Sequence, residues 1–147
     1  MDLDNLNDKE VKALINETKY FLEHARIQIP AFGKYKKDAD VQGQQFGISY
    51  KFHAYRGNTG DKYSMHLRFS ENNVHLVRLC INGSAHYNSD GSKAGPNHIH
   101  IYQINKNDEI EGYAYNLDSF PFDQDNSFVE AVEKFLKYIN FLKERSA

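Results

Sequence analysis

The sequence predicts an α+β fold: a single antiparallel β-sheet of four to six strands in a meander, with N-terminal and C-terminal helices packed against it. Three observations predict it. Apolar residues recur at helical spacing near both ends of the chain, each time behind a capping-box signature. Between the ends the period changes to two, the mark of strands with one buried face. Short turns containing Gly or Asn separate the alternating runs, which favours antiparallel neighbours. At 147 residues the chain is expected to form one domain, 1–147, without repeats or linkers and with room for a sizeable core.

The first helix is expected over Asn7–Leu22. Asn7 caps it, Glu10 completes the box, and Val11, Leu14, Ile15, Thr18, Phe21 and Leu22 share one mostly apolar face. Pro30 and Gly33 break the chain after it. Tyr35–Gln45 is polar and lysine-bearing and reads as a loop or poorly ordered arm. From Phe46, the residues Phe46, Ile48, Tyr50, Phe52 and Ala54 alternate with polar or small ones, giving a half-buried strand. Gly57–Gly60 turns into a second strand, with Tyr63, Met65, Leu67 and Phe69 on one side. Val74–Ile81 is apolar on both sides and is expected to be central. Asn82–Asn97 is a long connection, with a short strand around Ala85 and Tyr87, and connections of this length often carry function. His98–Ile104 is the next strand, Asn105–Asp108 turns, and Tyr113–Leu117 pairs back as an edge. Ser127 and Glu130 open a last helix whose stripe is Phe128, Val132, Phe135, Leu136, Ile139 and Leu142, ending near Arg145.

Composition excludes several classes. A formal net charge of -2 does not suit a polycation that wraps nucleic acid indiscriminately, so only a local nucleic-acid contact stays open. Lys34, Lys36 and Lys37 around Tyr35 form the most basic short stretch, with Arg26 upstream and Lys51 and Arg56 further on. Asp38 and Asp40 dilute it, and a solvated loop is the simpler reading. The one cysteine, Cys80, excludes an internal disulfide and fits a reducing compartment; in so apolar a strand it reads as a buried structural thiol. No apolar run is long enough to span a membrane, and the acidic opening MDLDNLNDKE lacks the layout of a secretory signal, so a cytoplasmic location is expected. Ten Tyr and ten Phe exceed what one small core readily buries, which points to a protein partner or a homodimer.

The candidate chemistry gathers in His86–Tyr102. Residues i and i+2 of a strand share a face, so His98, His100 and Tyr102 are expected on the less apolar side, near the Asn82–Asn97 connection, with Ile99 and Ile101 toward the core. The connection would return His86 to the same place. Histidines with a nearby cation suit general acid–base work on a phosphodiester. In that reading His86, His98, His100 and Tyr102 are catalytic. Arg68, Arg78, Lys93 and Asn88 contact substrate, and Asp90 orients a histidine. No metal ligand and no cofactor is assigned. The same three histidines would also suit a metal, since HxH on a strand presents two imidazoles together. Metal ranks lower because no carboxylate is suitably spaced: Ile104 and Asn105 stand where the cupin pattern places a glutamate. The plainest reading is hydrogen-bonded structural histidines. Asn88, Asp90 and Gly91 lack the rest of a calcium loop and read as an Asx turn. No nucleophile elbow, phosphate loop or CxxC pair is present.

Arg78, Leu79, His86, Asn88, Asp90, Gly91, His98, His100 and Tyr102, in a segment written HYNSDG…HIHIY toward its end, resemble an uncharacterised family of small bacterial and phage or prophage proteins. The resemblance covers the central quarter to third of the chain and carries no activity. It implies roles such as toxin, defence component or inhibitor of host defence. The leading expectation is therefore an accessory protein that binds a macromolecule. The alternatives are a metal-independent endoribonuclease and a metal-dependent enzyme with a three-histidine site.

Overall fold

A computed structural model describes residues 1–23 and 28–142. In chain order the elements are α1 (Asp8–Asn16), β1 (Lys19–Phe21), β2 (Tyr35–Gly43), β3 (Ser49–Arg56), β4 (Tyr63–Phe69), β5 (His75–Ile81), the short β6 (His86–Tyr87) and β7 (Lys93–Ala94), β8 (His98–Ile104), β9 (Ile110–Asn116), a 3-10 turn (Leu117–Ser119) and α2 (Phe128–Tyr138). The fold is α+β, with a dominant antiparallel sheet and a helix near each end. The sheet has seven strands, more than the four to six expected, in the order β1-β2-β3-β4-β5-β8-β9. It is a meander interrupted once, where β6 and β7 fold out as a separate hairpin.

Alternation gives the sheet two unlike faces. Tyr50, Phe52 and Ala54 of β3, Met65, Leu67 and Phe69 of β4, Leu79 of β5 and Ile99 of β8 are all fully buried on one face. Both helices cover it. Phe135 of α2 lies 5.9 Å from Phe52 and Phe128 lies 5.5 Å from Tyr63, ring centre to ring centre, while Val11, Leu14 and Ile15 of α1 join the same core. Both capping boxes are formed, Asn7 with Glu10 and Ser127 with Glu130. The other face is polar. Cross-strand register sets Asp38, His53, His66, Arg78 and His100 in one row across β2, β3, β4, β5 and β8, with Ser64, Cys80 and His98 in the next.

The first expected helix is half as long as predicted. It stops at Asn16, Glu17 turns extended, and Lys19–Phe21 becomes the edge strand β1. The helical spacing of Phe21 equally suits a strand residue, and packing decides: the Phe21 ring lies tilted 4.1 Å from Phe141 and edge-on 6.3 Å from Phe52. Tyr35–Gln45 is not a loop. Most of it is β2, paired with β3 from Tyr35 to Gln42. Its alternation was hidden because Lys37 and Ala39 are weak markers of an inner face. The strand expected from Phe46 begins at Ser49 and runs to Arg56. Arg56 is buried and donates to the carbonyls of Pro30 and Gly33, so it is part of the frame. α2 ends at Tyr138, and Asn140, at φ 60°, turns the chain away. Its expected end near Arg145, like Arg26, lies outside the described residues.

One buried polar cluster locks the helices to the sheet. Lys19 is 0% exposed, and its Nζ donates to Ile15 O at 2.9 Å, Glu17 O at 2.9 Å and Ile139 O at 2.7 Å. An ammonium has three N–H donors, so this set is complete. It satisfies orphan carbonyls at the C-terminal ends of α1 and α2 together. Burial pushes Lys19 down to about 7, and the Glu17 carboxylate opposes that. Glu17 in turn accepts from the Tyr50 hydroxyl at 2.5 Å and the Gln45 amide at 3.1 Å. Gly43 leaves room for it: a Cβ there would fall 2.4 Å from Glu17 Oε1.

Candidate metal centre

The polar face carries the chemistry. His98 sits opposite Cys80, and His100 opposite Arg78, because β8 pairs with β5 in that register. Both imidazoles are oriented by backbone. His98 Nδ1 lies 2.6 Å from Gly95 O, and His100 Nδ1 lies 2.8 Å from Gly112 O. A carbonyl only accepts, so each Nδ1 carries the hydrogen, and each neutral ring then keeps its lone pair on Nε2. The two Nε2 atoms face each other at 3.0 Å. Two lone pairs at that distance repel unless a proton or a cation lies between them. Backbone carbonyls that fix the tautomer in this way are the usual support of metal-binding histidines.

Cys80 completes the group. Its Sγ and the nearest ring nitrogens of His98 and His100 all lie within 4.8 Å of one another. His98 is only 3% exposed, while Cys80 and His100 are half-buried. Burial pushes His98 below its ordinary value, against the Gly95 carbonyl, with the His86 and Arg78 charges adding to the drop. Burial also takes His100 down to about 4. Both rings are thus neutral near pH 7, the state in which imidazole binds a metal. Burial pushes the Cys80 thiol up, and the adjacent Arg78 opposes this by charge and hydrogen bond. Gly112 gives His100 its place, since a Cβ there would lie 3.4 Å from His100 Cβ.

The expected site residues divide. His86, on β6, joins the group, its ring 4.8 Å from His100 and 6.2 Å from His98. Together with Arg78 these residues line a cavity of about 530 Å³ whose wall also includes Tyr55, Lys62 and Ser64. Tyr102 lies elsewhere. It is 2% exposed, its hydroxyl donates to Leu3 O at 2.9 Å and accepts from the Leu6 amide at 3.3 Å, and its ring meets Phe69. The two-residue alternation of β8 lapses there, beside the register shift between β4 and β5, so Tyr102 belongs to the core and not to the less apolar side. Arg68 donates to His66 Nε2 at 2.8 Å and lies outside the cavity wall. Lys93 lies over the Tyr87 ring. Asn88 is buried and pins the hairpin to β9 by exchanging hydrogen bonds with the Ala114 backbone. Asp90 orients no histidine; it accepts from Ser92 and the Tyr113 hydroxyl, and those bonds hold its carboxyl down at about 2.

Cys80 is the residue that sequence reasoning missed. Alternation along β5 already sets Arg78 and Cys80 against Val77, Leu79 and Ile81. What the sequence does not reveal is that β8, and not β6, is the partner strand that brings HxH alongside. Another hollow, lined by Asn97, Asn116, Asp118, Asp123 and neighbours, has no histidine or cysteine among the described residues of its wall.

No helix among the described residues is long and apolar enough to cross a membrane. Comparison with curated proteins and with solved structures finds no match. A family model does match, over residues 6–141, which spans both helices and the whole sheet with its histidine–cysteine cluster. The chain belongs to that family, the Family of unknown function (DUF6978).

Proposed function

We propose that the protein is a transition-metal protein whose centre is Cys80, His98 and His100, with zinc as the best-suited ion. One observation carries this reading: the two Nε2 atoms aimed at each other at 3.0 Å with both Nδ1 atoms already committed to carbonyls. A thiolate with two imidazoles suits zinc, which prefers tetrahedral nitrogen and sulfur ligands at about 2.0–2.3 Å. Three protein ligands leave one position open toward the cavity, the pattern of catalytic rather than structural zinc sites. A zinc ion there supplies Lewis-acid chemistry, so a metal-dependent enzyme is the reading this geometry favours. The thiol takes the place of the carboxylate whose absence counted against metal in the sequence. His86 stands over the group as a proton-handling residue, its ring 4.8 Å from that of His100.

The metal-independent nuclease reading meets its own distance requirement, since the three rings lie within 6.2 Å. It is less favoured because the His98–His100 pair points its nitrogens at each other instead of at a substrate. The resemblance of the HYNSDG…HIHIY segment supports a bacterial or phage accessory setting for this metal protein. Elemental analysis of untagged protein, purified without chelator, tests the proposal. Near-stoichiometric zinc is expected, and less than about 0.1 metal per chain, even after incubation with zinc, contradicts it.

A further inference from the structure

The wall of the cavity that opens over this centre is cationic. Arg78 and Lys62 line it, and no Asp or Glu among the described residues does. Arg78 is placed between the metal group and the stacked rings of His53, His66 and His75: opposite His66 on β4, opposite His100 on β8, and two positions from Cys80 along its own strand. Its Nε is buried and has no hydrogen-bond partner among the described residues. A guanidinium presents its donors as a planar fork that matches an oxyanion, and a buried donor of that fork without an acceptor is costly. The neighbouring side chains offer it little. His66 Nε2 is taken by Arg68, and the ring stacks 4.0 Å from His75. The acid in this row, Asp38, lies three strands away on β2 and is already paired with His53 on β3 and Arg68 on β4.

We propose that the cavity takes a small-molecule ligand through an oxyanion group, phosphate or carboxylate, anchored on the Arg78 guanidinium beside the metal, with Lys62 contributing charge at the rim. The inference rests on the metal reading and deepens it by naming the class of ligand. A cation next to the open coordination position would let one oxyanion face both groups. The acid-free wall disfavours cationic and polyamine ligands by the same charge argument.

Cobalt-loaded protein provides the test, because thiolate–cobalt charge-transfer absorption reports metal binding at Cys80 separately from ligand binding. Inorganic phosphate and acetate are titrated in parallel arms. The expected result is a saturable change in the cobalt spectrum with at least one of them, and the arm that responds at the lower concentration identifies the oxyanion. Arg78→Gln should keep the charge-transfer band and weaken that anion at least about tenfold, and Lys62→Gln should weaken it less. Protein that takes up no cobalt with a thiolate band overturns the metal reading and this inference with it. Cobalt protein that shows the band and ignores both anions up to about 10 mM overturns the inference alone. An anion response that Arg78→Gln leaves unchanged also overturns it.

Discussion

Two buried polar clusters lie on opposite faces of one sheet, and they differ in how their hydrogen bonds close. Around Lys19, every donor meets an acceptor: three ammonium hydrogens meet three carbonyls, and the Glu17 carboxylate meets a hydroxyl and amides. Around His98, two acceptors meet each other, and Arg78 Nε nearby meets no acceptor among the described residues. A closed cluster stabilises the fold and has nothing left to bind. An open one at the wall of a cavity leaves donors and acceptors unmet, and that is the observation behind the metal and the oxyanion proposed above. Burial alone would not distinguish the two, because Lys19 and His98 are both nearly inaccessible.

The comparison is broken most severely at Lys19. Lys19→Met leaves three buried carbonyls without donors and a carboxylate without its counter-charge, so a loss of about 3–5 kcal/mol is expected in urea unfolding. Metal bound per folded chain should not change. A loss below about 1 kcal/mol would mean that the cluster is not the clasp between the helices. On the other face the signs reverse. Cys80→Ser and His98→Ala should each weaken zinc about 100-fold or more, about 2.7 kcal/mol, in chelator competition. The metal-free stability of His98→Ala should fall far less than that of Lys19→Met, since this variant removes one of the two opposed lone pairs.

A third cluster sharpens the contrast. His66 is stacked between His53 at 5.0 Å and His75 at 4.0 Å, and its Nε2 accepts from Arg68, a bond that only the neutral ring can make. Burial is the largest cause that lowers His66 to about 2 and His75 to about 4, and neighbouring positive charge adds to it. The unfolded chain then binds more protons than the folded one between those values and the ordinary 6.5. The share of stability that these two neutral rings carry is therefore complete above pH 6.5 and falls as pH drops through the window, by up to about 1.4 kcal/mol per pH unit for each histidine. Metal-free protein unfolded in urea from pH 7 to pH 4.5 should show this slope, and His66→Gln should flatten it. An unchanged slope in that variant would show that His66 is not held neutral by the fold. The smallest effect is expected at Tyr102. Tyr102→Phe removes hydrogen bonds to Leu3 and Leu6, should cost about 1 kcal/mol, and should leave zinc affinity unchanged; a change in affinity would place Tyr102 in the site after all.

The fold was legible where one side of a pattern is strongly apolar. Tyr63–Phe69, His98–Ile104 and both capping boxes stand where alternation and capping residues put them. β1 and β2 were not legible, because Lys19 is buried against the rule for lysine and Lys37 and Ala39 face inward. The site was legible in half. Spacing alone brings His98 and His100 together, and the length of the connection allows His86 to return. Cys80 depends on pairing across two strands whose intervening segment folds out as a hairpin, and no local pattern encodes that partner.

X-ray absorption at the zinc edge of loaded protein tests the central claim most directly. The account predicts one sulfur at about 2.3 Å and two imidazole nitrogens at about 2.0–2.1 Å, with the sulfur lost in Cys80→Ser. A shell of nitrogen and oxygen alone in the unaltered protein would contradict it.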